Sequence, residues 1–218
     1  MPEPTTVIAV GTGVVGLGAH LARRYFEMAK EVADIVLGAI AFAITLPLFI
    51  GCAVLIKVCS RGPIFFRQVR VGKDGRPFTM YKFRTMRVDA EAENGAQWAQ
   101  SKDPRVVSSC RWMRISHVDE LPQLLNVIKG EMSLVGPRPE REEILNDLEE
   151  TYPNVRQRLA VRPGITGLAQ IRHGYDSSVE GFGKKLASDL EYINDRRWCK
   201  ELRILLATFG KFYDRQAN

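Results

Sequence analysis

The chain has 218 residues, 45% of them hydrophobic, which suits one domain with a real core plus a short appendage. Its formal charge of +6 favours anionic partners (phosphates, nucleic acid or an acidic membrane surface) without choosing among them. Cys52, Cys59, Cys110 and Cys199 form no C-x-x-C pair and have no histidine at ligand spacing, which argues against a disulfide framework or a zinc site and for reduced thiols.

Val7 to Gly16 reads VIAVGTGVVG and contains G-x-G-x-x-G after an apolar run. The dinucleotide-binding pattern needs a strand, a glycine turn, a helix and an acidic residue ~20 positions on. Glu31 or Asp34 could serve nominally, but an apolar segment occupies the place of the second strand. Residues 1–30 are therefore read as a short mobile or interfacial extension.

Val32 to Ile56 is apolar with one charge, Asp34, near its start. As a helix it would be ~37 Å long, against a hydrocarbon core of ~30 Å. It starts too late for a cleavable signal peptide. The alternative is a buried core helix. Arg23, Arg24 and Lys30 precede it, and Lys57, Arg61 and Arg67 follow it, so both flanks favour the cytoplasmic side. Pro47 lies mid-segment, where it removes a donor and kinks a helix, and Thr45 could satisfy freed backbone groups. A membrane helix over residues 31–58 that dips in and returns accommodates these features, with a simple crossing as the alternative.

Pro63–Val71 and Pro77–Thr85 read as two strands joined by a Lys73-Asp74-Gly75 turn. If the second is extended, Lys82 and Arg84 share one face and can grip a diphosphate. A solvated cationic surface beside anionic lipid explains the same residues. Glu91–Lys102 is polar and reads as a loop or weak helix.

Leu121, Leu124, Leu125 and Ile128 fall at helical spacing, Pro122 fits a first turn and Gly130 ends the run. Asp119 and Glu120 then sit at the positive end of a helix. They could simply cap it, with Ser116 and Asp119 as a capping box. Alternatively, a carboxylate attacks phosphorus while a metal offsets repulsion between anions, and Arg114 stabilises phosphate oxygens. Further on, Gly136-Pro137-Arg138-Pro139 and Arg162-Pro163-Gly164 are rigid turns, each able to present a guanidinium.

These stretches resemble the bacterial sugar transferase family, the monotopic phosphoglycosyl transferases. The resemblance runs in family order from Lys30 to Phe212, through DIV at Asp34, GPIFFRQVRVG from Gly62, FTMYKFRTM from Phe78, DELPQLLNVIKGEMSLVGPRPE from Asp119 and VRPGITGLAQI from Val161. It implies a re-entrant helix broken at Pro47 and ping-pong chemistry with magnesium. Asp119 would be the nucleophile, taking the sugar-phosphate from a UDP-sugar, releasing UMP and passing it to undecaprenyl phosphate. Glu120 would assist with metal and proton handling. Lys82, Arg84, Arg114, Arg138 and Arg162 match the family's basic positions, and Asp189 an acidic one. Arg172-His173-Gly174-Tyr175 departs from the asparagine-glycine-arginine-asparagine stretch of many members, and the tryptophan that often follows is absent. Those departures bear on sugar and base specificity.

Leu202, Leu205, Leu206, Phe209 and Phe212 form a helical apolar stripe among basic residues, with Trp198 and Tyr213 suited to an interface. It reads as a helix lying on the membrane or packing on the core. The fold expected is α+β and mostly helical: a re-entrant membrane helix, a small β-hairpin, and a cytoplasmic catalytic domain over residues 59–218 with interfacial amphipathic helices. The setting expected is the cytoplasmic face of the bacterial inner membrane. Inner-membrane lipid and downstream glycosyltransferases are expected partners, nucleic acid is not, and a homo-oligomer is left open. Competing readings are a non-catalytic membrane-bound binding module and a Rossmann oxidoreductase.

Overall fold

The computed structural model describes residues 5–87, 105–173 and 179–210, with only the backbone of 5–20, 179 and 209. Its first element, α1 (Thr5–Cys59), is one continuous helix. The glycine-rich Val7–Gly16 stretch lies inside it, so the strand and turn that a dinucleotide site needs are not formed. The expected break at Pro47 is not seen either, since helical structure continues on both sides. Thr45 does not repair the ladder there. Its hydroxyl donates to Ala41 O at 2.8 Å and Phe42 O at 3.3 Å, whereas a proline at 47 frees the carbonyl of Ala43. From Leu21 to Cys59 the helix is long and apolar enough to cross a membrane, and only 11% of its most apolar window is buried. That disposes of the reading as a buried core helix.

What α1 does bury is a narrow stripe. Lys30, Asp34, Gly38, Cys52 and Ile56 face the rest of the protein, while Val36, Ile40, Ile44, Ile50 and Val54 are exposed. Both ends of the apolar segment therefore dock on one body. At the first end, Lys30 lies 3.1 Å from Asp34 and 2.9 Å from Glu201, and Ser133 donates to Asp34 at 2.6 Å. Tyr192 donates to Glu201 at 2.7 Å, closing a polar network whose members are all buried. Gly38 packs on Val127, which a Cβ would approach to 3.0 Å. At the second end, Cys52 and Ile56 join Phe83, Cys110, Met113 and Val118 in one apolar cluster, flanked by Phe49 and Phe65.

The hairpin forms as expected, with β1 (Phe65–Val71) antiparallel to β2 (Pro77–Phe83) and Phe65 opposite Phe83. Asp74 and Gly75 take positive φ in its turn, which suits glycine and costs an aspartate little. A short α2 (Arg111–Ile115) leads through a 3-10 turn at Val118–Glu120 into α3 (Gln123–Ile128). Gly130, at φ +76°, ends that run. β3 (Ser133–Val135) and β4 (Gly164–Thr166) make a second, parallel pair. Here Gly136 and Gly164 pass so closely that a Cβ on Gly164 would meet Gly136 N at 2.1 Å.

Among the described residues, four further helices pack on this core. α4 (Glu142–Thr151) and α6 (Val179–Asn194) enclose Leu145, Leu148, Val155, Phe182 and Leu186. α5 (Leu168–His173), α6 and α7 (Trp198–Gly210) pack Leu168, Tyr192, Ile193 and Ile204 against Val135. With two small two-stranded sheets, the fold is α+β and mostly helical. α7 serves two faces: Ile204 is buried, while Trp198, Leu202 and Leu206 are exposed. The expected contributions of the Phe209 side chain, Phe212 and Tyr213, and of Glu91–Lys102, lie outside the described residues.

Candidate active site

The 3-10 turn at Val118–Glu120 gives two adjacent carboxylates different surroundings. It follows His117, whose backbone is left-handed at φ +53°. Glu120 turns inward, 7% exposed, to two cations from distant parts of the chain. Lys82 of β2 donates to Glu120 Oε1 at 2.6 Å. Arg138 donates to the same oxygen at 2.8 Å and to Oε2 at 3.4 Å. Asp119 is half-buried and makes no hydrogen bond to any described residue.

The electrostatics diverge accordingly. Burial would raise the Glu120 carboxyl, but Arg138 and Lys82 outweigh it and hold Glu120 well below the usual range. Asp119 goes the other way: burial raises its carboxyl, Lys82 opposes, and the Glu120 charge adds to the rise. Arg114 and His117 are near enough to stabilise the Asp119 anion, more weakly than Lys82 does. Lys82 is itself pushed down by burial, with Glu120 opposing.

The cations stand in place through a supporting frame. Asn126 of α3, wholly buried, accepts from Tyr81 N at 3.1 Å and donates to Thr79 O at 2.7 Å and to Glu131 at 2.6 Å. It locks β2, and with it Lys82, onto α3. Arg70 of β1 donates to Pro139 O at 3.1 Å and lies 3.5 Å from Glu140, fixing the turn that carries Arg138. Asn126 and Arg70 were not foreseen as parts of the site. A lone asparagine amid the α3 apolar residues was the available signal for the first.

Of the residues expected here, Asp119, Glu120, Lys82, Arg138 and, by its field, Arg114 come together. Three others do not. Arg84 follows β2 directly, its N–H still bonded to Ile64 O at 2.9 Å, but its side chain is used elsewhere. It is buried and donates to the Ser60 carbonyl and hydroxyl, both at 3.1 Å, near the exit of α1. Arg162 pairs with Glu31 of α1 at 2.5 Å. Asp189 is 1% exposed and accepts from Arg158 at 2.7 Å, an ion pair inside the α6 packing. The capping-box reading also fails, because the Ser116 hydroxyl donates back to Trp112 O at 2.8 Å instead of capping Asp119. α3 is only six residues long, so Lys82 and Arg138, not a helix terminus, hold the acid.

Among the described residues, no cluster of three or more metal-ligating side chains forms. Two hard carboxylates side by side still fit magnesium, which commonly takes one or two protein carboxylates and fills its shell with water and phosphate oxygens.

The structure thus sets a carboxylate pair under cationic control on a domain docked along a long apolar helix. The chain belongs to the bacterial sugar transferase family, which it matches over residues 25–215. It is 41% identical over 201 residues to the UDP-N-acetylgalactosamine-undecaprenyl-phosphate N-acetylgalactosaminephosphotransferase of Aeromonas hydrophila, covering 89% of this chain and 47% of that one. It is 40% identical over 193 residues to the UDP-glucose:undecaprenyl-phosphate glucose-1-phosphate transferase of Caulobacter vibrioides, covering 88% of this chain and 72% of that one. The exopolysaccharide production protein PSS of Rhizobium leguminosarum is 38% identical over 184 residues, covering 82% and 92%. The chain thus spans about half the length of the first of these relatives and most of the other two.

Proposed function

We propose that this chain is a phosphoglycosyl transferase, moving a sugar-1-phosphate from a UDP-sugar to undecaprenyl phosphate through a covalent Asp119 intermediate. One observation carries the mechanism: Glu120 is paired with Lys82 and Arg138, while neighbouring Asp119 is half-buried and its side chain makes no hydrogen bond to any described residue. A carboxylate held by two cations is a poor nucleophile. One left unengaged beside those cations is a better one.

In the first step, an Asp119 carboxylate oxygen attacks the phosphorus that carries the sugar. The bond from that phosphorus to the bridging oxygen breaks, and its electron pair leaves with UMP. In the second, a phosphate oxygen of undecaprenyl phosphate attacks the same phosphorus, the Asp119–phosphorus bond breaks, and the carboxylate is regenerated. Arg114 and Arg138 can meet charge developing on the phosphoryl oxygens. Magnesium held by Asp119, Glu120 and the diphosphate would supply further charge neutralisation. The first two relatives are named for different sugars, so the sugar used by this chain is a matter for assay.

On this reading the reaction occurs at the cytoplasmic face of the inner membrane, with α1 as a monotopic element. Docking of both its ends on one domain supports this, because a simple crossing would pull one end away. The lipid-linked product would pass to glycosyltransferases building a polysaccharide.

Labelled UDP-sugar given without lipid acceptor should leave a sugar-phosphate label on Asp119 that disappears when undecaprenyl phosphate is added. Asp119→Asn should carry no label while remaining folded. Label absent even after rapid quenching would favour direct transfer in a ternary complex.

A further inference from the structure

A second cationic site lies away from Asp119 and Glu120, where the start of the described α1 side chains meets the α6–α7 junction. A groove of about 360 Å³ is lined there by Arg23 and Phe26 of α1, by Asn194, and by Arg196, Arg197 and Trp198 at the start of α7. That volume is in the range of small-ligand pockets.

Its polar groups are only partly matched. The Arg196 side chain is 8% exposed and donates through Nη2 to Glu27 at 2.5 Å, yet its buried Nε has no hydrogen-bond partner among the described residues. A buried guanidinium N–H left unpaired costs free energy that an incoming acceptor recovers. Arg23 is 59% exposed and reaches Glu27 only at 3.6 Å, leaving its donors available. Arg197 is paired with Asp195 at the rim. α7 is a 13-residue helix that begins at Trp198 in the groove wall, so the positive end of its dipole lies there. Phe26 packs edge-on to Trp198 with ring centroids 5.3 Å apart, forming an apolar wall.

The surroundings indicate where the ligand comes from. Leu21 and Tyr25 of α1, and Trp198, Leu202 and Leu206 of α7, are all exposed beside the groove. An aromatic and aliphatic rim around arginines is the pattern of a membrane–water interface. We propose that this groove binds the phosphate headgroup of an anionic phospholipid, with Arg196 Nε, Arg23 and the α7 N-terminus on the phosphate and the Phe26–Trp198 wall against the acyl region. The proposal rests on the membrane-docked reading of α1 and adds a headgroup site distinct from the carboxylate pair.

Flotation of the full chain with phosphatidylcholine vesicles, with and without phosphatidylglycerol, tests it. Wild type should bind both and prefer the anionic vesicles. Arg196→Lys keeps the charge but deletes the buried Nε, and should lower the preference by about tenfold, the loss of one hydrogen bond to a charged group. Binding to neutral vesicles and transferase turnover in detergent should be unchanged. Arg23→Ala should act in the same direction, whereas Arg76→Ala, which removes one charge elsewhere, should not match it. An undiminished preference in both Arg196→Lys and Arg23→Ala overturns the site. Inorganic phosphate abolishing the preference in wild type, at constant ionic strength, would reassign the groove to a free anion. Failure of wild type to bind neutral vesicles would instead count against membrane docking itself.

Discussion

At the scale of single residues, the neighbours Asp119 and Glu120 are set apart by what surrounds each, and pH separates them experimentally. Glu120 has a depressed carboxyl, so its ion pairs stabilise the fold fully above the ordinary glutamate range of ~4.3 and lose that effect as pH falls through the lowered value. Glu120→Gln should therefore cost about 3 kcal/mol at neutral pH, typical of breaking a buried pair, and the gap to wild type should close in acid. Thermal unfolding across pH measures this. On the proposed mechanism Asp119 must be ionised to attack, and its raised carboxyl then places the acid limb of adduct formation above the ordinary aspartate range of ~3.9. Glu120→Gln removes one cause of that rise and turns Lys82 and Arg138 towards Asp119. The acid limb of its residual activity should move to lower pH, and a limb moving upward would contradict the assignment. Arg114→Lys loses the planar two-pronged donor and should lower turnover more than nucleotide-sugar affinity. Equal turnover, compared by single-turnover kinetics, would remove Arg114 from the site.

At the scale of elements, much of the site was legible because its parts are local. The hairpin showed in strand alternation around Asp74-Gly75, and the acid pair showed in the run before Leu121. What sequence could not give was the side-chain partner reached through tertiary packing. Arg84 looks like Lys82's partner on paper, yet its guanidinium donates to Ser60 and makes no bond to Glu120. Asp189 looks like a site acid until α6 buries it against Arg158. Conversely, Asn126 drew no attention although it ties β2 to α3. Asn126→Ala leaves the Tyr81 N–H and Thr79 carbonyl unpaired and should cost about 1–3 kcal/mol. Because Lys82 follows Tyr81, turnover should fall too. Asn126→Asp should be the worse change at neutral pH, since it sets a carboxylate against Thr79 O and Glu131. Denaturant unfolding of the two variants decides the order.

At the scale of the whole molecule, α1 and the domain behave as one piece. Hydropathy marked the apolar segment, but its docked stripe was hidden, because a polar network at Lys30 and an apolar cluster at Ile56 share no sequence signature. Cysteines placed before Lys30 and after Lys57 should both be shielded from a periplasmic thiol reagent in intact cells, since one domain holds both ends. Labelling at either position would reverse the monotopic reading. The same docking also limits how this chain can be rebuilt. A membrane anchor that only tethers is interchangeable: any sufficiently apolar helix can replace it. Here the helix supplies Lys30 and Asp34 to the buried network around Glu201 and Ser133, Gly38 to the Val127 contact, and Cys52 and Ile56 to the cluster behind Phe83. A chimaera carrying a foreign apolar helix would be left with an open seam along the domain. Grafting only the five stripe residues onto that foreign helix should restore what hydrophobicity alone cannot.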